Sequence, residues 1–378
     1  MPRAPASTTT TATANPAVTA REVGLLRLVA QGLVGVPAGT GPLDVVRNLT
    51  ALQAQDLPGA LTSVALRTSS RSLDEVVAAL DAGTVVRTWP MRGTLHLVAA
   101  DDVRWLLRTT AARMVARFAT RQRELAIDGA TLDRAVRVAD EALAAVAGRP
   151  DAPGLRRAEL MTVWEDAGIT TTGQRGYHLL VHLAQTGLLC LGPMAGTEQL
   201  FVRVVDRVGP GLPVEGDDAL AELAGRFFRS HGPATVADLV RWAAVTVRQA
   251  RTGLALARDG LTAVDLDGVE HWLDPAVPDR LAQHRDEAEQ VLLLPGFDEY
   301  VLGYADRSLV VPAPHTARVV PGGNGVFRAT VVDAGQAVGT WRHVPARAGA
   351  ARQVTLEPFD GLSPAVEAAA RRAHARLP

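Results

Sequence analysis

The stretch Thr84–Val98, TVVRTWPMRGTLHLV, decides the predicted fold because it contains two β-like runs joined by a turn. The runs are Thr84–Thr88 and Thr94–Val98, and the connecting Trp89–Gly93 contains the proline and glycine that favour a turn. Helices followed by a two-stranded ribbon are typical of a winged helix. Three segments with helical periodicity precede this ribbon, namely Ala20–Leu33, Leu43–Leu52 and Ser72–Leu80.

The same order of helices and ribbon recurs twice further along the chain. The second ribbon is predicted at Leu188–Leu191 and Gln199–Val204, and the third at Leu261–Leu266 and Val269–Leu273. No residue-level repeat of fixed period accompanies them, so the units are architectural copies at most. Their predicted helices are Asp101–Thr120, Thr131–Val146, Arg156–Gly168, Gly176–Gly187, Asp217–Ser230, Val236–Ala244 and Val247–Ala257.

The composition of the chain changes after about Glu289, where short β runs alternate with Pro, Gly and Asp turns. A hairpin is predicted over Val331–Val338 and a closing helix over Pro364–Leu377. The predicted strands are Val291–Leu294, Ser308–Val311, Gly325–Val332, Ala337–Val344 and Gln353–Leu356. We therefore predict an α+β fold of three tandem winged-helix domains with a small C-terminal β domain.

The predicted boundaries divide the 378 residues into a tail and four domains. The Thr-, Ala- and Pro-rich residues 1–20 lack the apolar core of a signal peptide and are predicted to be a disordered tail. The remaining domains are winged helix 1 over 21–125, winged helix 2 over 126–214, winged helix 3 over 215–288 and the β-rich domain with its final helix over 289–378.

Composition limits the chemistry that is available. All 39 basic residues are arginine, so a side-chain amine for Schiff-base chemistry does not exist. The net formal charge is −1, so any contact with nucleic acid must come from a local arginine-lined face. The single cysteine, Cys190, lies in an apolar run and is predicted to belong to the core. No apolar run is long enough to span a membrane, and a cytoplasmic location is expected.

The segment Leu49–Pro58, LTALQAQDLP, contains two glutamines separated by one residue. If the backbone is extended, Gln53 and Gln55 point to the same side, whereas in a helix they point about 200° apart. Two neutral amides can hold and orient a water but are weak bases, so they suit a reaction whose leaving group is already activated. The alternative is that both side chains cap backbone groups at a helix end, since Pro58 and Gly59 are expected to end any helix nearby.

Five stretches together resemble the AlkZ/YcaQ-like winged-helix DNA glycosylases, from about Arg21 to the C-terminus. These are Leu52–Asp56 (LQAQD), Thr88–Leu97 (TWPMRGTLHL), His231–Thr235 (HGPAT), Leu293–Ser308 (LLPGFDEYVLGYADRS) and Asn324–Phe327 (NGVF). The resemblance implies a concave scaffold that removes bulky alkylated purines, including interstrand crosslinks, from DNA. Gln53-Ala54-Gln55 matches the Gln–apolar–Gln branch, which implies self-resistance in a producer of a DNA-alkylating natural product.

The chemistry of the glutamine pair agrees with what the resemblance implies. An N7-alkylated purine carries a positive charge that weakens its glycosidic bond, so positioning a water can replace a strong base. Gln53 and Gln55 are the predicted catalytic residues of a monofunctional glycosylase without lyase activity. The predicted partner is double-stranded DNA with alkylated purines, without a membrane or an obligate protein partner. A monomer that associates with the nucleoid while acting on DNA is expected.

Other polar residues keep two interpretations. Arg92 and His96 flank the first ribbon turn and either contact the lesion or form an ordinary ion pair and a core histidine. Asp56 either holds a glutamine amide or caps a helix. Asp298, Glu299, Asp306 and Arg307 are predicted to form an ion-pair network rather than a glycosidase-type carboxylate pair.

A string of arginines follows one long predicted helix and forms either a solvated face or a track for DNA phosphates. Arg113 and Arg117 are the candidate DNA contacts within the set Arg104, Arg108, Arg113, Arg117, Arg121 and Arg123. The nine histidines have no paired ligand spacing, so neither a metal nor a cofactor is predicted. The rival functions are a non-enzymatic winged-helix regulator and a protein that sequesters the alkylating drug.

Overall fold

The computed structural model describes residues 16–149, 153–323, 325–344 and 353–378. Asn324 and residues 1–15 of the predicted tail lie outside them. The helices are α1 Ala20–Ala30, α2 Pro42–Leu49, α3 Leu57–Ala65, α4 Leu73–Ala82, α5 Val103–Glu124, α6 Gly129–Val146, α7 Arg157–Asp166, α8 Arg175–Gln185, α9 Val204–Arg207, α10 Gly216–His231, α11 Val236–Ala243, α12 Val247–Ala257, α13 Val277–Gln283, α14 Arg285–Ala288, α15 Glu299–Leu302, α16 Thr316–Val319 and α17 Pro364–Ala375.

The strands form three antiparallel sheets. Five strands join in the order β1-β3-β2-β4-β5, four in the order β11-β10-β9-β8, and β6 pairs with β7 alone. Their bounds are β1 Ala51–Gln53, β2 Val85–Met91, β3 Thr94–Ala99, β4 Leu189–Ala195, β5 Glu198–Arg203, β6 Thr262–Leu266, β7 Val269–Leu273, β8 Leu292–Leu294, β9 Thr330–Asp333, β10 Gln336–Val344 and β11 Gln353–Pro358. The predicted mixture of helices and strands is confirmed.

The first two ribbons do not stand apart, because β2 and β4 pair through Arg87 and Leu191. The Arg87 guanidinium strengthens this junction by donating to the carbonyl of Ala54 at 2.9 Å and to Gln199 Oε1 at 3.1 Å. A single sheet therefore runs from the first predicted unit into the second. Only the third ribbon remains a two-stranded hairpin.

The region around the glutamine pair departs from the predicted boundaries. The helix predicted over Leu43–Leu52 ends at Leu49, because Thr50 adopts a left-handed φ of +66° that no α-helix can continue. Strand β1 follows at once. Pro58 does not end a helix but lies in the first turn of α3, where its missing N–H costs nothing.

Three further predictions were wrong in detail. Ser308–Val311 is a turn whose Val310 and Val311 amides both bond the carbonyl of Arg307, while the valine side chains are buried in the core. The strand predicted over Gly325–Val332 is formed only from Thr330 onward. Residues 16–20 are ordered rather than part of a disordered tail, since Ala17 pairs with Asp265 of β6.

The core runs between the predicted units. One buried cluster joins Val86 and Val98 of the first ribbon to Cys190 of β4, to Phe227 of α10 and to Tyr304 after α15. Cys190 is fully buried, as predicted, and burial raises the pKa of its thiol to about 12. Shared packing of this kind holds β1 against residues that lie more than two hundred positions later, and so positions the site.

Candidate active site at the end of strand β1

Gln53 is the last residue of β1 and lies opposite His96 of β3. Gln55 follows in a bend that leads into α3. Gln53 therefore lies on extended backbone and Gln55 in the bend that follows it, and neither residue belongs to a helix. Gln53 is 7% exposed and Gln55 is exposed, so the two amides lie at the surface end of a buried strand.

Each glutamine oxygen is held by the main chain. Gln53 Oε1 accepts from the Gln55 N–H at 3.4 Å, and Gln55 Oε1 accepts from the Leu95 N–H at 3.3 Å. The second bond extends the β1–β3 ladder by one step beyond the Ala54 N–H, which donates to the carbonyl of Leu95 at 2.7 Å. Both amides thus satisfy backbone groups, but not at a helix end as the alternative interpretation stated, because Leu95 belongs to β3 and Gln55 precedes α3. They do so through oxygen only, and no described residue accepts a hydrogen bond from either amide nitrogen.

A buried carboxylate supports the pair from behind. Glu299 is 1% exposed, and its Oε1 accepts from the Gln53 N–H at 2.9 Å. Its Oε2 accepts from Trp242 Nε1 at 3.1 Å and lies 3.6 Å from His231 Nε2. Burial alone would raise the pKa of Glu299, but interactions with His231, Arg92 and the Gln53 N–H outweigh it and lower the pKa to about 2. The carboxylate is therefore charged at neutral pH.

Arg92 and His96 belong to the same site. Arg92 occupies the ribbon turn with a left-handed φ of +57°, and its Nη2 lies 3.9 Å from Glu299 Oε1. Burial and then Arg92 lower the pKa of the fully buried His96 to about 3, so its ring is neutral. With the proton on Nδ1, His96 donates to the Thr94 carbonyl at 2.9 Å and accepts from Arg92 Nη2 at 2.9 Å. This pairing orients the guanidinium.

Asp56 makes neither of its predicted bonds. It occupies the N-cap position of α3, but its side chain makes no capping hydrogen bond, and none to a glutamine amide is found among the described residues. Its carboxylate instead borders a cavity of about 660 Å³ that Pro295, Trp341 and His343 also line. The cavity begins one residue beyond Gln55, at the junction of the first sheet and the C-terminal sheet.

The predicted ion-pair network is confirmed for two of its members and wrong for the others. Asp298 binds Arg67 through both oxygens, at 2.8 and 2.9 Å, and Glu299 faces Arg92. Asp306 instead accepts from the Ser308 N–H. Arg307 Nε donates to the carbonyl of Val301 and not to a carboxylate, so this bond stabilises the turn.

The arginines of α5 differ in what they contact. Arg113 donates to the carbonyls of Ala244 and Val245 just beyond α11, at 3.2 and 2.9 Å. Arg117 is exposed on the next turn, and the structure gives it no partner within the described ranges. Neither residue contacts Gln53 or Gln55. Arg113 therefore fastens α5 to α11, while Arg117 is free for a ligand.

Sequence reasoning missed the residues that the fold brings to the glutamines from far along the chain. Trp242 and His231 come from α11 and α10, and Arg241 lies beside Trp242. The HGPAT and PGFDEY stretches pointed to these regions, but no local signal identified single side chains. In the described residues no group of three or more His, Cys, Asp or Glu could hold a metal ion, and no helix is long and apolar enough to cross a membrane.

Comparison with known proteins gives concordant matches. The family model described as DNA glycosylase AlkZ-like matches residues 46–378. An interstrand DNA cross-link repair glycosylase of Streptomyces sahachiroi is 30% identical over 320 residues, which cover 80% of this chain and 82% of that protein. The solved structure of the Streptomyces sahachiroi DNA glycosylase AlkZ superimposes with a TM-score of 0.74 at 25% identity, covering 96% of each chain.

Proposed function

This chain belongs to the AlkZ-like family of DNA glycosylases, and on that premise we propose that it hydrolyses the glycosidic bond of bulky N7-alkylated purines in double-stranded DNA. The observation that carries the proposal is the Gln53–Gln55 pair at the end of β1, whose oxygens are fixed on backbone N–H groups. Both NH2 groups are then left for a water or a substrate oxygen. The relative is itself described as an interstrand cross-link repair glycosylase, which supports crosslinks among the substrates.

The proposed reaction uses positioning rather than a strong base. An amide N–H holds a water by one lone pair, and the other lone pair attacks the anomeric carbon of the sugar. The glycosidic bond breaks with its electron pair going to the purine, which neutralises the charge that alkylation placed on the ring. The water gives its proton to solvent. No acid is needed at the base, because the alkylated purine is already a good leaving group.

Glu299 contributes electrostatically to the proposed mechanism. Its carboxylate is charged, buried and one hydrogen bond away from the Gln53 backbone. A fixed negative charge in a site with little water stabilises the positive charge that develops on the sugar. It also holds the end of β1 in place. We therefore assign Glu299 as a positioning residue that acts through Gln53.

Further features of the proposal follow from composition and relatives. The absence of lysine side chains supports a monofunctional hydrolase without lyase activity. The Gln–apolar–Gln pattern of residues 53–55 is the ground on which we include self-resistance to a DNA-alkylating natural product in the proposal. We retain three winged-helix domains and the predicted boundaries as part of this proposal, with the first two ribbons sharing a sheet. Arg117 is the DNA contact favoured on α5.

The test is excision from a duplex that carries one bulky N7-alkylguanine. Wild-type protein should release the free alkylated base and leave an abasic site. Gln53→Ala should lower the single-turnover rate by about 10²–10³-fold, which is the typical cost of removing one preorganised polar group in a site. Gln55→Ala should lower it less, because Gln55 is exposed. Binding of the duplex should change less than about threefold, since neither amide carries charge.

Gln283→Ala, at an exposed glutamine on α13, is the matched control and should retain the wild-type rate. Wild-type turnover by Gln53→Ala would refute the assignment of the pair. Tight binding to DNA without any base release by the wild-type protein would instead favour a non-enzymatic regulator.

A further inference from the structure

Three arginines from separate elements meet beside the glutamine pair. Arg92 lies in the β2–β3 turn, Arg241 in α11 and Arg307 beyond α15. Glu299 lies 3.9 Å from Arg92 and accepts from Trp242, which follows Arg241 in α11. Arg92 is therefore the arginine that faces Glu299, while the charges of Arg241 and Arg92 both act on Arg307.

Asp238 connects α11 to the segment that carries Arg307. Its Oδ1 accepts from the Ala305 N–H at 2.8 Å, two residues before Arg307. Arg241 follows Asp238 by three residues on the helix and so lies on the same face. Burial is the main cause that lowers the pKa of Arg307, to about 10, and the charges of Arg241 and Arg92 lower this pKa further. The positive charges thus oppose one another at short range.

Two of the three arginines lack a direct ion pair among the described residues. In the ranges that the structure describes, neither Arg241 nor Arg307 has a carboxylate oxygen within 4 Å. Asp238 is occupied by Thr235 and Ala305, and Asp306 by the Ser308 backbone. The charges of Asp238 and Asp306 still raise the pKa of Arg307, but their oxygens are bonded elsewhere, so no carboxylate oxygen of the described residues accepts directly from Arg241 or Arg307.

Arg307 is the least satisfied member. Its Nε donates to the Val301 carbonyl at 3.1 Å, and its guanidinium lies 5.0 Å from the centre of the Phe327 ring. Its Nη2 is buried and has no hydrogen-bond partner in the described part of the chain. A buried charged donor without an acceptor is costly, and an anion that arrives with oxygen acceptors removes that cost. The cluster is therefore built for an anion.

We propose that Arg92, Arg241 and Arg307 bind the DNA phosphodiester next to the damaged nucleotide. Guanidinium forks match phosphate oxygens in pairs, and arginine remains charged in partly buried sites. Arg92 lies one carboxylate away from the Gln53 backbone, so a phosphate held by Arg92 would place the adjoining sugar near the glutamine amides. His96 orients Arg92 for this contact. The inference rests on the proposed DNA glycosylase function and extends it.

The test changes one phosphate of the DNA as well as the arginines of the protein. The probe is a duplex with one N7-methylguanine on a 2′-fluoro sugar, which resists hydrolysis, with or without a neutral methylphosphonate beside the lesion. Wild-type protein should bind the duplex with a methylphosphonate on one side of the lesion about tenfold more weakly than it binds the all-phosphate duplex. Arg241→Gln should weaken binding to the all-phosphate duplex about tenfold and reduce the slope of log affinity against log salt by about 1.

The decisive quantity is the coupling between the methylphosphonate in the DNA and the arginine substitution in the protein. In Arg241→Gln and in Arg307→Gln the methylphosphonate should cost less than about twofold, because the contact is already lost. Arg241 is exposed, so its replacement leaves the core intact if Arg307→Gln does not fold. Arg371→Gln, an exposed change of equal charge on α17, should keep the full tenfold penalty.

Equal methylphosphonate penalties in the wild type and in Arg241→Gln would overturn the phosphate site. That outcome leaves the proposed function standing if the alkylated base is still released from a cleavable duplex. If no alkylated base is released but the methylphosphonate penalty still disappears in Arg241→Gln, the proposed glycosylase activity would be refuted and the phosphate contact would stand. Inorganic phosphate, added at constant ionic strength, should compete no better than chloride, and strong competition would identify a site for free phosphate instead.

Discussion

Asp298 and Glu299 are consecutive carboxylates, 3% and 1% exposed, whose surroundings differ in kind. Asp298 is bound by both arms of Arg67 and accepts from Ser63 Oγ at 2.5 Å and from the Tyr300 N–H at 2.9 Å. Glu299 accepts from two neutral donors, while His231, whose pKa burial lowers, and the cation Arg92 stay at 3.6 and 3.9 Å. One charge is neutralised in contact, and the other is only partly balanced.

This difference separates a fold-supporting acid from a site-supporting acid. The Arg67–Asp298 pair is closed, since Arg67 also donates to the backbone and side-chain oxygens of Gln31. The Glu299 carboxylate accepts from the Gln53 N–H, and its negative charge at the end of β1 is not fully neutralised. Burial alone therefore does not distinguish the two roles, whereas the distance to the nearest cation does.

The largest expected effect falls on the closed pair. Asp298→Asn leaves Arg67 buried without its counter-ion and should lower the free energy of unfolding by about 3–5 kcal/mol. Urea denaturation measures this loss, and Arg67→Met combined with Asp298→Asn should recover part of it. The excision rate per folded molecule should stay within about twofold. A rate loss larger than that would place Asp298 in the site and remove the contrast.

Glu299→Gln should produce the opposite profile. It retains an oxygen for the Gln53 N–H but removes the charge, so the single-turnover excision rate should fall about 10–100-fold. The free energy of unfolding should fall by about 1–2 kcal/mol, less than for the closed pair. An unchanged rate with a large loss of stability would mean that Glu299 is structural like its neighbour.

The pH dependence of stability should reveal the charge of Glu299 directly. Its folded pKa of about 2 lies below the ordinary value of 4.5, so it stabilises the fold fully above pH 4.5 and loses this contribution as the pH falls toward 2. The difference in unfolding free energy between wild type and Glu299→Gln should thus be constant from pH 5 to 8 and shrink at pH 3. A difference that grows on acidification would contradict a charged carboxylate.

The smallest expected effect comes from letting a cation contact Glu299 directly, as Arg67 contacts Asp298. His96→Phe removes the acceptor that holds Arg92, so the guanidinium can move onto Glu299 and neutralise it. Stability should change by about 1 kcal/mol, because one hydrogen bond replaces another. Excision should fall several-fold, while His271→Phe, at a comparably buried histidine on β7, should leave the rate unchanged. Full activity of His96→Phe would contradict a role for the unneutralised charge.

Local patterns predicted what is local in this fold. The spacing of Gln53 and Gln55 left an extended and a helical backbone open, and the structure places Gln53 on a strand. Ser72 accepts from the Glu75 N–H at the start of α4. The Glu75 carboxylate does not bond back to the Ser72 N–H, because it accepts from Ser70 instead. Thr50 ends α2 without a glycine or proline signal, so the periodic pattern overran it.

Long-range contacts could not be predicted from the pattern. The bond from the Gln53 N–H to Glu299 spans 246 residues, and the contact of Arg87 with Gln199 spans 112. An apolar alternation predicts that a strand exists but does not name its partner. Asp298 and Glu299 are equivalent in sequence, and only tertiary packing assigns them to different cations.

The five-stranded sheet bears on which molecule changes shape on binding. Because β2 pairs with β4, the sheet that includes β1 and Gln53 continues into the second unit, and we expect the two units to move as one platform. On the proposed function, we then expect a DNA duplex to curve in order to bring a damaged purine to Gln53, and smooth curvature over a short site costs about 1–6 kcal/mol. Where an adduct already makes the DNA duplex easier to bend, less free energy is needed for this curvature. We therefore expect the flexibility of the DNA to help the protein select damaged sites.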